Sequence, residues 1–219
     1  MDRDEQIASL RLIRTPNIGP MTFSLLLQRY GSARAALDAV PELARRGGRS
    51  LKPASRTAAT AEIEAVEAAG AKLLFKDGDD YPKALERFDD APPVLSPRGT
   101  TALLSSPSIA VVGARNASIN AVRLAQTLSE QLAANGYVVV SGLARGIDTA
   151  AHNGALARGT VAVIAGGIET QYPPENADLH DAMPSLACCS PKCPPAHSQH
   201  RVISLFATVS SPALRSVFL

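Results

Sequence analysis

The sequence has no tryptophan, few other aromatic residues and only three cysteines among 219 residues. It also lacks any run of about eighteen apolar residues, so no membrane span is expected. Its charged start, Met1–Glu5, has no apolar stretch of the kind found in secretory signals, which favours the cytoplasm. The formal net charge is +2, and so small an excess does not by itself indicate a nucleic-acid partner.

The cysteines are confined to one short stretch, Cys188, Cys189 and Cys193, with His197 and His200 nearby. This spacing matches no zinc finger or ribbon, and adjacent cysteines are poor partners in one tetrahedral site. We therefore expect no metal site and no cofactor.

Residues 1–70 predict a small all-α domain of the SAM or helix-hairpin-helix type. Apolar residues at helical spacing in 7–14 and 21–29 flank the turn Thr15-Pro16-Asn17-Ile18-Gly19-Pro20. Such a hairpin can present backbone N–H groups to a DNA phosphate, but few basic residues accompany it, so a packing role is favoured. Residues 71–107, which contain Pro92-Pro93, predict an extended connector.

From residue 108 to residue 182 the pattern predicts a Rossmann-like α/β domain, incomplete at its end. Predicted strands Ile109–Val112, Tyr137–Val140 and Thr160–Ile164 alternate with predicted helices Ile119–Ala134 and Ile147–Ala157. This alternation favours right-handed crossovers and a parallel sheet.

Glycine-containing loops follow all three strands. The carboxyl ends of parallel strands form a ligand crevice, where glycine lets the backbone approach a phosphate and arginine offers a planar fork of donors. The residues expected to hold an anion there are Gly113, Arg115, Gly142, Arg145, Gly146, Gly166 and Gly167.

Several nucleotide-binding functions are disfavoured. The first turn is not G-x-G-x-x-G, no acidic residue stands near the end of the second strand, and no Walker lysine follows the glycines. Asp148 and His152 lie four apart on one helix and could form an acid–base pair, but helix capping and packing are the favoured roles. No catalytic residue is predicted.

Ordered motifs in residues 5–182 resemble the DNA-processing protein A (DprA/Smf) family. They comprise Tyr81-Pro82-Lys83-Ala84-Leu85, Val111-Val112-Gly113-Ala114-Arg115, Ser141-Gly142-Leu143-Ala144-Arg145-Gly146-Ile147-Asp148 and Tyr172-Pro173-Pro174-Glu175-Asn176. Several independent motifs in the right order make this resemblance far more specific than a single glycine box.

The resemblance implies a protein that binds and protects single-stranded DNA and loads the RecA recombinase in natural transformation, without catalysing a reaction. It places the DNA-contacting arginine at Arg115 and adds Ser118 to the pocket formed by the glycine loops. Ala114 replaces the usual serine of the family, which removes one hydroxyl donor. Intact family members are expected to be homodimers.

Two other functions stay open on the sequence alone. One is a Rossmann-like nucleotide hydrolase resembling the lysine-decarboxylase-like phosphoribohydrolases, although Gly166-Gly167-Ile168-Glu169-Thr170 lacks their third loop glycine. The other is a module that senses a nucleotide in the same crevice.

Residues 183–219 form an aberrant tail. They contain no Asp, Glu or Gly but five prolines and all three cysteines. When the codons behind them are shifted by one base, they can encode segments resembling the family's Ser-Glu-x-Pro-x-Gly and Phe-Pro-x-Arg-Asn-Arg-x-Ile. We therefore expect a frameshift near residues 182–186 that leaves the tail loosely packed and a sheet edge exposed, and that weakens DNA binding and dimerisation.

Overall fold

The computed structural model describes residues 1–46, 51–68, 71–164, 173–183 and 185–188. The chain forms two compact units. Unit 1 comprises Met1–Tyr81 and Glu86–Leu95, and unit 2 comprises Pro82–Leu85 and the chain from Ser96 onward. Within the described ranges, no helix combines the length and the apolar character needed to cross a membrane.

Unit 1 is a bundle of four helices followed by a short strand. The elements are α1 (Arg3–Arg14), α2 (Pro20–Tyr30), α3 (Ala33–Arg46), α4 (Arg56–Ala68) and β1 (Leu74–Phe75). Proline at the first position of α2 suits a helix start, and Gly31 ends that helix in the left-handed conformation. The packed centre of the bundle includes Leu12, Phe23 and Leu37. The predicted all-α domain is confirmed.

Arginines of unit 1 are paired with carboxylates of the same unit. The pairs are Arg3–Glu67, Arg14–Glu62, Arg34–Asp2, Arg34–Glu5 and Arg56–Asp4. The charges of these four arginines are therefore balanced within unit 1.

Unit 2 contains a mainly parallel sheet. Its strands are the last four residues of β2 (Val94–Gly99), β3 (Ser108–Ala110), β4 (Val138–Ser141), β5 (Thr160–Ile164) and β6 (Ser185–Cys188), in the spatial order β2-β6-β5-β4-β3. Strands β3, β4, β5 and β6 run parallel, and β2 is antiparallel to β6. The helices are α5 (Lys83–Glu86), α6 (Ile119–Ala134), α7 (Ile147–Ala155) and α8 (Ala177–Ala182). The Rossmann-like α/β expectation is confirmed.

Helices α6 and α7 pack closely against each other, and the contact depends on Gly154. A Cβ atom at that position would lie 3.1 Å from the carbonyl carbon of Gln126 and 3.1 Å from the backbone nitrogen of Glu130. The helix axes can approach this closely because glycine has no side chain there.

The structure corrects two of the predicted boundaries. The supposed connector 71–107 contains β2, whose first residues pair with β1 and whose last residues pair with β6. The sheet also continues beyond residue 182, because Ser185–Cys188 pair with both β5 and β2. The expected loosely packed tail and exposed edge are therefore wrong for its first residues. The rest of the tail, including Cys189 and Cys193, lies outside the described residues.

Candidate nucleic-acid interface

The first glycine loop joins β3 to α6. Ser118 begins α6 as its N-cap, where its Oγ accepts a hydrogen bond from the backbone N–H of Ala121 at 3.3 Å. The hydroxyl proton of Ser118 still has a donor direction available for a ligand oxygen. Gly113 packs against Ile147, whose Cγ1 would lie 2.7 Å from a Cβ at Gly113. Glycine is needed here because the loop touches the start of α7.

The second glycine loop joins β4 to α7 and lies directly against the first. Gly146 has φ +79°, and an added Cβ would lie 2.6 Å from the carbonyl oxygen of Arg115. The N–H of Ile147 donates to the carbonyl oxygen of Ala114 at 3.3 Å. Leu143 is buried and holds φ +59°, an unusual conformation for a residue with a branched side chain. The two loops thus form one connected surface at the carboxyl ends of the strands.

The carboxylate of Asp148 lies beneath both loops. Its Oδ2 accepts hydrogen bonds from the backbone N–H groups of Gly142 at 3.2 Å and Ala144 at 3.4 Å. Burial raises the pKa of Asp148, while backbone N–H bonds, including one from Gly113, act to lower it. The acceptor of these N–H groups is therefore the carboxylate of Asp148. Gly142 is buried, and its N–H points inward to Asp148, so this residue shapes the loop.

His152 is a buried structural residue one turn further along α7. Its Nδ1 lies 2.7 Å from Thr160 Oγ1, and that hydroxyl donates to the carbonyl oxygen of Val139 at 2.8 Å. Burial lowers the pKa of His152 to about 3, so the ring is neutral at physiological pH. Asp148 and His152 have separate partners, which agrees with the capping and packing roles favoured above.

Asn176, which the sequence motif contained but the predicted site omitted, holds the second loop in place. Its side-chain amide donates to the carbonyl oxygen of Leu143 at 2.9 Å and to Thr149 Oγ1 at 2.9 Å. Thr149 Oγ1 in turn donates to the carbonyl oxygen of Ala144 at 2.8 Å. These bonds hold the carbonyl groups of Leu143 and Ala144, and so stabilise the loop that contains the positive φ of Leu143.

The two predicted arginines are both exposed but differ in their electrostatic surroundings. Arg145 Nη2 lies 2.8 Å from Glu175 Oε1, so its charge is balanced by a carboxylate that the predicted site did not include. Arg115 makes no ion pair within the described part of the chain. The unbalanced positive charge at the strand ends is therefore that of Arg115, beside the N-terminus of α6.

Of the predicted site residues, Gly113, Arg115, Ser118, Gly142, Arg145 and Gly146 lie in these two adjoining loops. Gly166 and Gly167 fall outside the described residues. Within the ranges that are described, no three His, Cys, Asp or Glu side chains group as metal ligands would.

The chain thus has the class of architecture in which an N-terminal helical domain precedes a Rossmann-like α/β domain with glycine loops at its strand ends. The family model for DNA recombination-mediator protein A matches residues 72–202, and the model for the DprA-like N-terminal HHH domain matches residues 3–65. The chain belongs to the DNA recombination-mediator protein A family, also called DprA/Smf.

Relatives from several bacteria match part of the chain. DNA processing protein DprA of Streptococcus pneumoniae is 44% identical over 105 residues, which are 47% of this chain and 37% of the relative. Protein Smf of Escherichia coli is 38% identical over 109 residues, covering 49% and 29% respectively. A putative DprA of Mycobacterium tuberculosis is 31% identical over 173 residues, covering 71% and 44%. The chain thus matches less than half the length of these relatives.

Two solved structures of the family resemble the fold. The X-ray structure of DprA from S. pneumoniae superposes with a TM-score of 0.68 at 27% identity, covering 94% of this chain and 76% of that one. A DprA structure from Helicobacter pylori, described in terms of its single-stranded DNA binding mode, gives a TM-score of 0.55 at 27% identity, covering 63% and 66%.

Proposed function

We propose that this chain binds single-stranded DNA at the two glycine loops, protects it and delivers it to the RecA recombinase, without catalysing a reaction. The observation that carries the proposal is the exposed Arg115, which has no ion pair within the described residues and lies beside the N-terminus of α6. The family membership supports it, as does the single-stranded DNA binding named for the H. pylori relative.

The contacts at these loops suit a sugar-phosphate backbone. Arg115 offers a planar fork of N–H donors, Ser118 offers a hydroxyl, and the start of α6 carries partial positive charge. Gly113 and Gly146 let the two loops pack directly against each other, which places Arg115 and Ser118 on one connected surface. Gly166 and Gly167 are proposed to complete this surface from the third strand.

The proposal is tested by measuring how oligo(dT) binds at several salt concentrations, with duplex DNA and free nucleotides as competitors. Binding should weaken as salt rises, because phosphate contacts release counterions. Arg115→Ala should weaken binding roughly tenfold, since an arginine–phosphate contact contributes on the order of 1–2 kcal/mol. Arg145→Ala should weaken it less, because Glu175 already balances that charge.

Arg158 provides a matched control. It is also an exposed arginine of unit 2, but it stands two residues before β5 and so lies at the amino end of that strand. Arg158→Ala should leave binding unchanged. If Arg115→Ala binds oligo(dT) as tightly as the parent chain, the site assignment fails.

Delivery to RecA and dimerisation are part of the same proposal, on the ground of family membership alone. They are tested by asking whether the chain speeds RecA filament formation on single-stranded DNA, and by its mass in solution. Tight binding of a free nucleotide, with no binding to oligo(dT), would favour the hydrolase or sensor alternatives instead.

A further inference from the structure

The carboxylate of Asp148 joins the two glycine loops of unit 2 from beneath. Its Oδ2 accepts hydrogen bonds from the N–H groups of Gly142 at 3.2 Å and Ala144 at 3.4 Å, both in the second loop. It also accepts one from the N–H of Gly113, in the first loop. Only 6% of Asp148 is exposed, so water does not compete for these bonds. A single side chain therefore links the backbones of both loops.

Each predicted arginine stands close along the chain to an N–H group that Asp148 holds. Arg115 is two residues after Gly113, and Arg145 directly follows Ala144. If the loops moved apart, a buried N–H group would lose its acceptor, which is costly away from water. The carboxylate therefore fixes how far apart the two arginine-bearing loops lie.

A negative charge at this position is the opposite of what simple electrostatics favours for a phosphate site. Like charges repel, so Asp148 by itself weakens the attraction of a phosphate to Arg115. In the part of the chain that the structure describes, Asp148 makes no ion pair that would cancel its charge. What it contributes to the site is thus its hydrogen bonds to the loops.

We infer that Asp148 is a positioning residue for DNA binding: its ionised carboxylate holds the loops of Arg115 and Arg145 in the arrangement that binds a single strand, and neutralising it weakens binding. This inference rests on the proposed function and adds to it a residue that does not contact the DNA. Because the N–H groups of Gly142 and Ala144 are directed to Asp148, the second loop offers a phosphate its arginine side chain and not these backbone donors.

Asparagine has the shape of aspartate but cannot make the same bonds. A carboxylate has two acceptor oxygens, whereas the amide of asparagine has one oxygen with two lone pairs and an NH2 group that only donates. Three N–H groups, those of Gly113, Gly142 and Ala144, need an acceptor here. At least one of them loses its acceptor in Asp148→Asn, so the link between the two loops is weakened.

The first measurement is the binding of labelled oligo(dT) to the 219-residue chain by fluorescence anisotropy, for the parent and for Asp148→Asn. The variant should bind roughly tenfold more weakly, because a released loop no longer holds its arginine against the phosphates. A direct effect of charge would have the opposite sign, since removing a negative charge strengthens the binding of an anion. The direction of the change therefore separates positioning from electrostatics.

The second measurement asks whether Asp148 acts through Arg115. In the Asp148→Asn chain, Arg115→Ala should weaken binding by less than about threefold, against roughly tenfold in the parent, because the arginine is already displaced. Losses that multiply would show that the two residues act independently.

Thr160→Val is the matched control. Thr160 is another buried polar residue of unit 2, but its hydroxyl bonds to His152 and to the carbonyl oxygen of Val139, and it begins β5 at the amino end of that strand. The variant should be less stable in urea and should still bind oligo(dT) like the parent, with the full effect of Arg115→Ala.

If Asp148→Asn fails to fold by circular dichroism, the pH dependence of binding by the parent chain decides. Burial raises the pKa of Asp148, so this carboxylate takes up a proton at a higher pH than an exposed carboxylate does. Around it, Arg115 and Arg145 keep their charges at every pH of the experiment, and His152 is buried with a pKa of about 3. Binding should weaken as the pH falls from 7 while the fold stays intact. Stronger or unchanged binding overturns the inference.

The outcomes separate the two proposals. Unchanged or tighter binding by Asp148→Asn, losses that multiply with Arg115→Ala, or an equal loss in Thr160→Val each overturn the positioning role. In all three cases the phosphate site stands, provided that Arg115→Ala alone weakens binding. If the parent chain does not bind oligo(dT), both proposals fail.

Discussion

At the residue scale, the strand ends are organised by buried polar side chains. Asp148 collects backbone N–H groups from the loops, and Asn176 holds the carbonyl of Leu143. These internal bonds leave Arg115 and the adjoining glycine surface as the part of the site that faces solvent. Asp148 and Asn176 thus fix the geometry of the loops, whereas Arg115 is the residue proposed to contact DNA.

Gly146→Ala should destabilise the chain more than Gly136→Ala. Both glycines have positive φ, at +79° and +83°, so both substitutions carry a conformational penalty of about 1 kcal/mol or more. The penalty is larger at Gly146, whose ψ of −120° lies outside the left-handed helical region that alanine can enter. Only at Gly146 does the added Cβ collide with backbone, the carbonyl oxygen of Arg115, which should cost at least another 1 kcal/mol or so. Urea unfolding of the two variants measures the difference, and equal midpoints would contradict the loop contact.

His152 should make the folded state sensitive to mild acid. Its pKa falls from 6.5 to about 3 on folding, because the buried ring disfavours the charged form. The unfolded chain therefore binds more protons, and the stabilising effect of the neutral ring, complete above pH 6.5, is lost as the pH falls towards 3. The slope contributed approaches about 1.4 kcal/mol per pH unit.

The measurement is the free energy of unfolding in urea between pH 7 and pH 5, for the parent chain and for His152→Leu. The variant loses the hydrogen bond to Thr160 and should be less stable at pH 7, but its stability should fall less steeply with acid. Parallel profiles for the two chains would show that His152 is protonated as readily in the folded state as in the unfolded chain.

The site was predictable from sequence where its signals are local. Glycine after a strand and arginine in the same turn placed Arg115 and Arg145 in adjoining loops, as the structure shows. The partners of these residues were not predictable in this way. Glu175 reaches Arg145 from a distant segment, and nothing in either segment alone indicates the ion pair.

At the element scale, boundaries set by local sequence signals were predicted correctly, and boundaries set by distant partners were not. The predicted bounds of α6, Ile119–Ala134, match the structure, because Ser118 caps its start and Asn135-Gly136 end it locally. The segment that forms β2 was predicted as a connector, since Pro92-Pro93 before a short apolar run indicates an extended connection. Its pairing with β6 depends on residues far along the chain, which no local pattern reveals.

Gly154→Ala tests the close approach of α6 and α7. At an exposed helix position, replacing glycine by alanine should stabilise a helix by about 1 kcal/mol. At Gly154 the added methyl meets the backbone of Gln126, so we expect net destabilisation by about 1–3 kcal/mol. Thermal unfolding gives the sign. The neighbouring Asn153→Ala, at an exposed position of the same helix, should be neutral or slightly stabilising, and a stabilised Gly154→Ala would contradict the packing.

At the whole-molecule scale, the sheet of unit 2 depends on its last described strand. Strand β6 lies between β5 and β2 and pairs with both along Ser185–Cys188. Arg98 of β2 also donates to the carbonyl oxygen of His180 at 2.8 Å, which links β2 to α8. An internal strand of the sheet thus comes from the start of the unusual tail, residues 183–219.

Two shortened chains test this dependence. A chain ending at Cys188 keeps β6, whereas a chain ending at Met183 leaves β2 and β5 without their shared neighbour. The longer chain should unfold cooperatively, and the shorter one should show a lower urea midpoint and bind a dye for exposed apolar surface. Identical unfolding curves would show that β6 contributes nothing to the sheet.

The placement of β6 also affects how the protein is made. A ribosome releases β2 early, but its partner in unit 2 emerges only after β3, β4 and β5 have been synthesised. Until then, the backbone groups of Ser96–Gly99 have no strand to pair with. Every nascent chain therefore passes through a stage in which β2 and β5 each have an unpaired edge. Slow translation before Ser185 would prolong the exposure of these edges to chaperones and proteases.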